Sequence, residues 1–137
     1  MPPDNLKKRV HDVARKSIEI TSFQHVNPIP AASRVGPLLA SSVIAPRDPG
    51  QSSVPDTAEA QYANLFHHIG QILDAAGADW RHIARITFYA PDAAFRDSCN
   101  PPWVEHFPDA EARPARHTQV VAGAKVVTCE FIAYIDD

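Results

Sequence analysis

The chain has 137 residues, 13 of them Pro and only 5 Gly, with 45% hydrophobic and 21% charged residues and a formal net charge of −3. This size and balance describe one globular domain, able to bury roughly 68–70% of the surface its unfolded form exposes, and exclude a disordered chain. The glycines (36, 50, 70, 77 and 123) are too scattered for a dinucleotide fingerprint or a phosphate-cradling loop, and the negative charge argues against a protein built to grip nucleic acid.

In chain order, Asp4 with Leu6, Val10 and Val13 at helical spacing predicts a short amphipathic helix within residues 1–16. Ser17 to Thr21 alternates as a strand does. Gln24 to Ala32, holding Pro28 and Pro30, reads as irregular, and Val35 to Ala45 is an apolar run broken by Gly36-Pro37. After a proline-rich loop from Pro46 to Pro55, the apolar stripe Leu65, Phe66, Ile69, Ile72, Leu73 and Ala76 predicts a long helix over Thr57 to Ala76. Asp56 and Glu59 suit a capping box at its start, and Gly77 suits a left-handed stop.

Ile83 to Tyr89 is rich in β-branched and aromatic residues and predicts a strand ended by Pro91. Asp92 to Phe107 reads as a broken helix in which Asn100 caps a turn beginning at Pro101. Ala115 to Val121 and Lys125 to Ile135 predict two closing strands joined by a short turn through Gly123. Odd positions from Val127 to Ile135 are all apolar, whereas the even positions mix polar with apolar, so one face is core and the other meets something else. The order is strand, strand, helix, strand, helix, strand, strand, with the helices on one face of a sheet.

Several residues invite and then lose a chemical reading. Cys99 and Cys129 form no CxxC pair or zinc spacing, which favours free thiols over a disulfide between the two, with Cys99 exposed and Cys129 inert on the apolar face of the last strand. His67 and His68 lack the i, i+4 spacing of metal ligands and read as surface residues, so neither a metal nor any other cofactor is expected. No stretch approaches the ~18 apolar residues of a membrane span and Met1 to Lys16 has no secretory character, which predicts a cytoplasmic protein with no membrane partner. The block Arg113-Pro114-Ala115-Arg116-His117-Thr118 is different: a rigid proline feeding an arginine at the mouth of a strand presents a guanidinium fork to a carboxylate.

The run from Asp74 to Tyr89 (Asp-Ala-Ala-Gly-Ala-Asp-Trp-Arg-His-Ile-Ala-Arg-Ile-Thr-Phe-Tyr) resembles the RidA (YjgF-type) family of reactive-intermediate deaminases. So do Asn100 followed by Trp103 and Phe107, Pro114-Ala115-Arg116, and Leu38-Leu39-Ala40-Ser41-Ser42. These blocks cover about residues 35–135. The resemblance implies a single α+β domain over residues 1–137, a mixed β-sheet with two main helices on one face (chorismate mutase-like). It also implies a homotrimer with sites between subunits and no nucleic-acid partner.

By that resemblance Arg116 binds the substrate carboxylate, Thr118 presents a backbone amide and a small side chain, and Asn100 is the helix asparagine near the pocket. Ser41-Ser42 stands where the family has Ser-Gly. The chain departs from the family in two further places. The best-known members carry a water-holding glutamate on the last strand, where one alignment puts Thr128, and Glu130 is the only carboxylate on that mixed face, roughly 6.5 Å further along. The segment Gln24 to Pro30 replaces a Gly-Pro-Tyr-type segment, which makes His25 and His117 candidates for proton transfer near neutrality.

The implied activity is hydrolytic deamination of a small conjugated enamine or imine acid, an aminomuconate-type catabolic intermediate fitting family precedent. The alternative is a binding or regulatory protein that holds a small carboxylate without turning it over. A ribonuclease, reported for some relatives, is disfavoured by the charge and by the absence of a basic aromatic stripe.

Overall fold

The computed structural model describes residues 14–136. Its strands are β1 Arg15–Ile18, β2 Ala32–Val35, β3 Leu38–Ser41, β4 Ile83–Ala90, β5 Ala115–Val120 and β6 Thr128–Tyr134. Its helices are α1 Ala58–Ala76, α2 Ala93–Asp97 and α3 Asn100–His106, with a 3₁₀ turn at Trp80–His82. The strands make one sheet ordered β1-β2-β3-β6-β4-β5, antiparallel except where β5 runs parallel to β4. A parallel pair needs a crossover, and α2 and α3 supply it.

The core lies between one sheet face and the helices. The stripe expected on α1 is buried from Leu65 to Ala76, joined by Tyr62, and all five odd positions from Val127 to Ile135, in and flanking β6, are buried with it. That face also takes Leu39 from β3 and Ile86 and Phe88 from β4, all three fully enclosed. The even face of β6 is half-open at Thr128 and Glu130 and exposed at Ile132 and Tyr134. Mixed sheet, helices on one face and a two-faced last strand are thus as the sequence predicts.

Several expectations need correction. Most of the expected N-terminal helix lies outside the described residues, and Arg15 and Lys16 at its end belong to β1, which stops at Ile18 instead of running to Thr21. β2 was not expected as a strand: it bridges the end of the stretch read as irregular, at Ala32, and the start of the apolar run, at Val35. Its four residues carry no apolar alternation, and pairing with β1 on one side and β3 on the other makes it a strand. The β2–β3 hairpin turns on Gly36-Pro37, with Gly36 at φ 56 where a side chain would be strained. Gly123 does make a turn, but β5 and β6 are not neighbours, because β4 lies between them. A strand apolar at every core-facing position is best covered in the middle of the sheet, and β6 sits there.

The caps also differ. Thr57 Oγ1, not Asp56, accepts from the amide of Ala60 at 3.2 Å, while Gly77 ends α1 at φ 74 as expected. Asn100 is inside α3 and does not cap it; the N-cap is Cys99, with no side-chain cap bond. Cys99 is fully buried, not exposed. His68, read as a surface residue, is also fully buried: Ser22 Oγ donates to its Nδ1 at 2.9 Å and its Nε2–H donates to the Arg47 carbonyl at 2.7 Å. With both nitrogens satisfied the ring belongs inside, and burial pushes its pKa below the ordinary value. His67 is exposed as expected.

Candidate functional site

Pro114 ends the loop that follows α3, and Arg113 ties that loop back by donating Nε–H to the Phe107 carbonyl at 2.8 Å. Strand β5 then starts at Ala115 on the open edge of the sheet. Arg116 pairs with Ile86, so its side chain leaves on the helix side. There the guanidinium carbon stands 5.1 Å from the Trp103 ring centroid and Nη2 donates to Asn100 Oδ1 at 2.8 Å. The Cys99 thiol joins the group. Burial raises its pKa to about 11, and the charge and hydrogen bond of Arg116 only partly oppose that rise, so the sulfur is a neutral wall of the site.

A guanidinium has five N–H donors, and this one is oriented by a ring face and an amide oxygen while donors remain for a ligand. Thr118, two residues on, faces the same side, opposite Phe88. Its hydroxyl is buried and has no hydrogen-bond partner among the described residues. A buried hydroxyl beside a pre-aimed arginine is a second donor for an anionic ligand.

The other expected residues lie on the opposite face. Glu130 pairs with Thr87, and so does His117 across the parallel ladder. Glu130 accepts a hydrogen bond from Tyr89 Oη. That bond, followed by some burial and the carboxylate charge, raises the Tyr89 pKa above its ordinary value. Around Glu130 a pocket of about 210 Å³ is lined by Ala40, Ser41, Arg85, Thr87 and Ile132. Ser41 Oγ accepts from the Phe131 amide at 2.8 Å and Ser42 Oγ donates to the Pro30 carbonyl at 2.8 Å, so both serines brace the end of β3.

His25 donates Nε2–H to the Val43 carbonyl at 2.8 Å, leaving a buried Nδ1 without a partner among the described residues. It lines a separate pocket with Ser17, Glu19 and Pro28. The chain therefore gathers Arg116, Asn100 and Thr118 on one side of the sheet, and Glu130, His117 and Ser41 on the other or at its end.

Three participants were missed from the sequence. Tyr89 as the partner of Glu130 follows from strand parity, since Tyr89 alternates with the buried Phe88 and Ala90. Trp103 and Cys99 as supports of Arg116 have no local signal, because α3 meets β5 only in the folded chain.

Residues 20–133 match the family model described as Endoribonuclease L-PSP. The chain belongs to this family, the RidA (YjgF-type) proteins. RidA from the Antarctic bacterium Psychrobacter sp. PAMC 21119 is 25% identical, with a TM-score of 0.79 over 88% of this chain and 99% of that one. The YjgF gene product of E. coli is 24% identical with a TM-score of 0.77, covering 87% of this chain and 98% of its own. E. coli TdcF, solved with bound serine, is 22% identical with a TM-score of 0.80, covering 88% and 99%. Among curated proteins no sequence match is found. The RidA-type fold thus spans β1 to β6. Among the described residues no helix is long and apolar enough to cross a membrane, and no three His, Cys, Asp or Glu side chains cluster as metal ligands do.

Proposed function

We propose that this RidA-family chain hydrolyses a small conjugated enamine or imine acid, at a site completed by a second copy of the chain. The observation that carries the reading is the oriented Arg116 fork beside the unpartnered Thr118 hydroxyl, two donors set to hold one carboxylate. The serine bound in TdcF is a small amino acid of the same ligand class.

Arg116 and Glu130 leave the sheet on opposite faces, so a site using both takes them from neighbouring copies. The outer face is suited to such contact. Val35, Leu38, Ile132 and Tyr134 stand exposed on it, side by side in the ladders β2–β3 and β3–β6. The pocket at Glu130 is smaller than most complete ligand sites, which run about 300–1,000 Å³, as expected of half a site. A homotrimer with three inter-subunit sites satisfies these facts.

In this scheme Arg116 and Thr118 fix the carboxylate, so that the electrophilic iminium carbon lies over Glu130 of the neighbouring copy. Water adds to that carbon, the C=N pair moves onto nitrogen, and Glu130 takes one proton from the added water, leaving a carbinolamine. That proton passes to nitrogen, the C–N bond breaks as the hydroxyl gives up its remaining proton to the departing ammonia, and a keto acid and ammonium leave. The substrate's own electrophilicity does most of the work, and the protein supplies position and one proton relay. Tyr89, donating to Glu130, holds the carboxylate oriented.

A second reading, a carboxylate-binding protein without turnover, is favoured by a departure from the family: one alignment of the last strand puts Thr128, two residues before Glu130, where the best-known members carry the water-holding glutamate. Ammonia release from enzymatically generated 2-iminopropanoate or 2-aminomuconate separates the two. The enzyme reading expects acceleration over buffer that Arg116→Ala removes. No acceleration, together with ligand-induced thermal protection that Arg116→Ala abolishes, establishes the binding reading instead.

A further inference from the structure

Beyond the sheet and its arginine, α1 and α3 border a groove of about 860 Å³, four times the pocket at Glu130. Its floor is aromatic. The His106 ring lies nearly flat on Phe66, centroids 4.4 Å apart at 14°, and Trp80 meets the same ring at 4.7 Å. His106 is held there by donating Nδ1–H to the Pro102 carbonyl at 2.8 Å. Gly70 is a helix-weakening residue in the middle of α1, and a Cβ at that position would stand 3.3 Å from Trp80 Cζ2. The glycine makes room for the indole to lie close against the helix.

Among the polar residues of the rim, which include His67, Gln71 and Ser98, those with a fixed charge are all acidic. Glu59, Asp74, Asp97 and Glu105 line it, and no lysine or arginine does among the described residues. Among the described residues, only Asp97 meets a cation there, Arg96 at 3.4 Å. These carboxylates do not converge, since Glu59 and Asp74 are separated by about 22 Å of helical rise and the described residues hold no chelating cluster. A compact metal ion therefore finds no cage. An elongated cation with several charges does find a match: charge-bearing groups fall on the spaced carboxylates, and apolar links between them fall on the rings.

We propose that this groove binds a linear polyamine, with its ammonium groups on the acidic rim and its methylene segments over Phe66, Trp80 and His106. α3 separates the groove from Arg116: Pro101, Pro102, Glu105 and His106 face the groove, while Asn100 and Trp103 face the arginine.

Isothermal titration of the full chain with spermine at low salt tests this. Saturable binding is expected, weakened about tenfold or more in Asp74→Asn/Glu105→Gln, a pair of exposed isosteric changes whose unchanged melting curve shows an intact fold. Butylamine, with one charge, should bind far more weakly, and Arg116→Ala should bind spermine as the wild type does. Absence of saturable heat, or equal affinity in the double carboxamide variant, overturns the proposal. Capture of an oligolysine peptide but not of spermine also overturns it, and assigns the groove to a basic protein segment.

Discussion

Arg116 and Glu130 point to opposite faces of one sheet, with only β4 between their strands: Arg116 is level with the buried Ile86, Glu130 with the half-open Thr87. A one-residue offset in strand parity thus separates the two groups expected to act on one substrate. Under the proposed function, that separation calls for a second copy of the chain to complete the site.

The carboxylate role of Arg116 predicts a loss of function without a loss of fold. Arg116→Ala should lower kcat/KM for an imine acid by about 100-fold or more, the scale of a charge-assisted bidentate pair. The melting temperature should change little, because the residue is exposed on an edge strand. His67→Ala, on the exposed face of α1, should leave turnover within about twofold. Steady-state ammonia release and a thermal melt on each variant check both statements.

The Tyr89–Glu130 pair predicts a spectroscopic signature. The phenol donates to the carboxylate, and the nearby negative charge opposes formation of phenolate, so Tyr89 should ionise above the ordinary 10.0. Glu130→Gln removes the charge and should bring that titration back down. The ultraviolet difference between wild type and Tyr89→Phe during alkaline titration isolates the Tyr89 signal.

Acid should weaken the fold through His68. Its folded pKa lies below its free value of 6.5, because burial penalises the charged ring. The unfolded chain therefore binds the proton more readily. The contribution of the neutral ring is fully present above about pH 6.5 and is lost as the pH falls from there through the lowered folded value. Denaturant melts of the wild type should show stability falling with pH across that window. His68→Gln should flatten this slope and cost about 1–3 kcal/mol at pH 7.5, from the broken bonds to Ser22 and Arg47.

The apolar outer face should hold the assembly together. Leu38→Glu or Ile132→Glu places a charge where Leu38 meets Tyr134 and Ala40 meets Ile132 across the β3–β6 ladder. Light scattering should find a trimer in the wild type and smaller species in these variants, with activity lost in parallel. A wild-type monomer with full activity would contradict the shared site.

Much of this architecture was legible wherever side-chain period and burial agree. α1 and β6 show it, since their core-facing stripes repeat at 3.6 and 2 residues and are buried. β2 was not legible, because Ala-Ser-Arg-Val becomes a strand only through its two neighbours. Nor was the burial of His68, a polar residue admitted to the interior by Ser22 and Arg47, both distant in sequence, nor that of Cys99, which is set by how the start of α3 packs in the folded chain. Arg116 could be picked out because Pro114 and the strand mouth are local. Its partition from Glu130 could not, since it depends on the order β6-β4-β5.

Subunit complementation tests the shared site most directly. Arg116→Ala and Glu130→Gln chains, each inactive as a homotrimer, are co-refolded in equal amounts. If every site takes its arginine from one copy and its glutamate from the next, random mixing restores both groups in about a quarter of sites, and that fraction of wild-type ammonia release should return. Mixed trimers that form but stay inactive would contradict the account, because they would place both groups within a single chain's site.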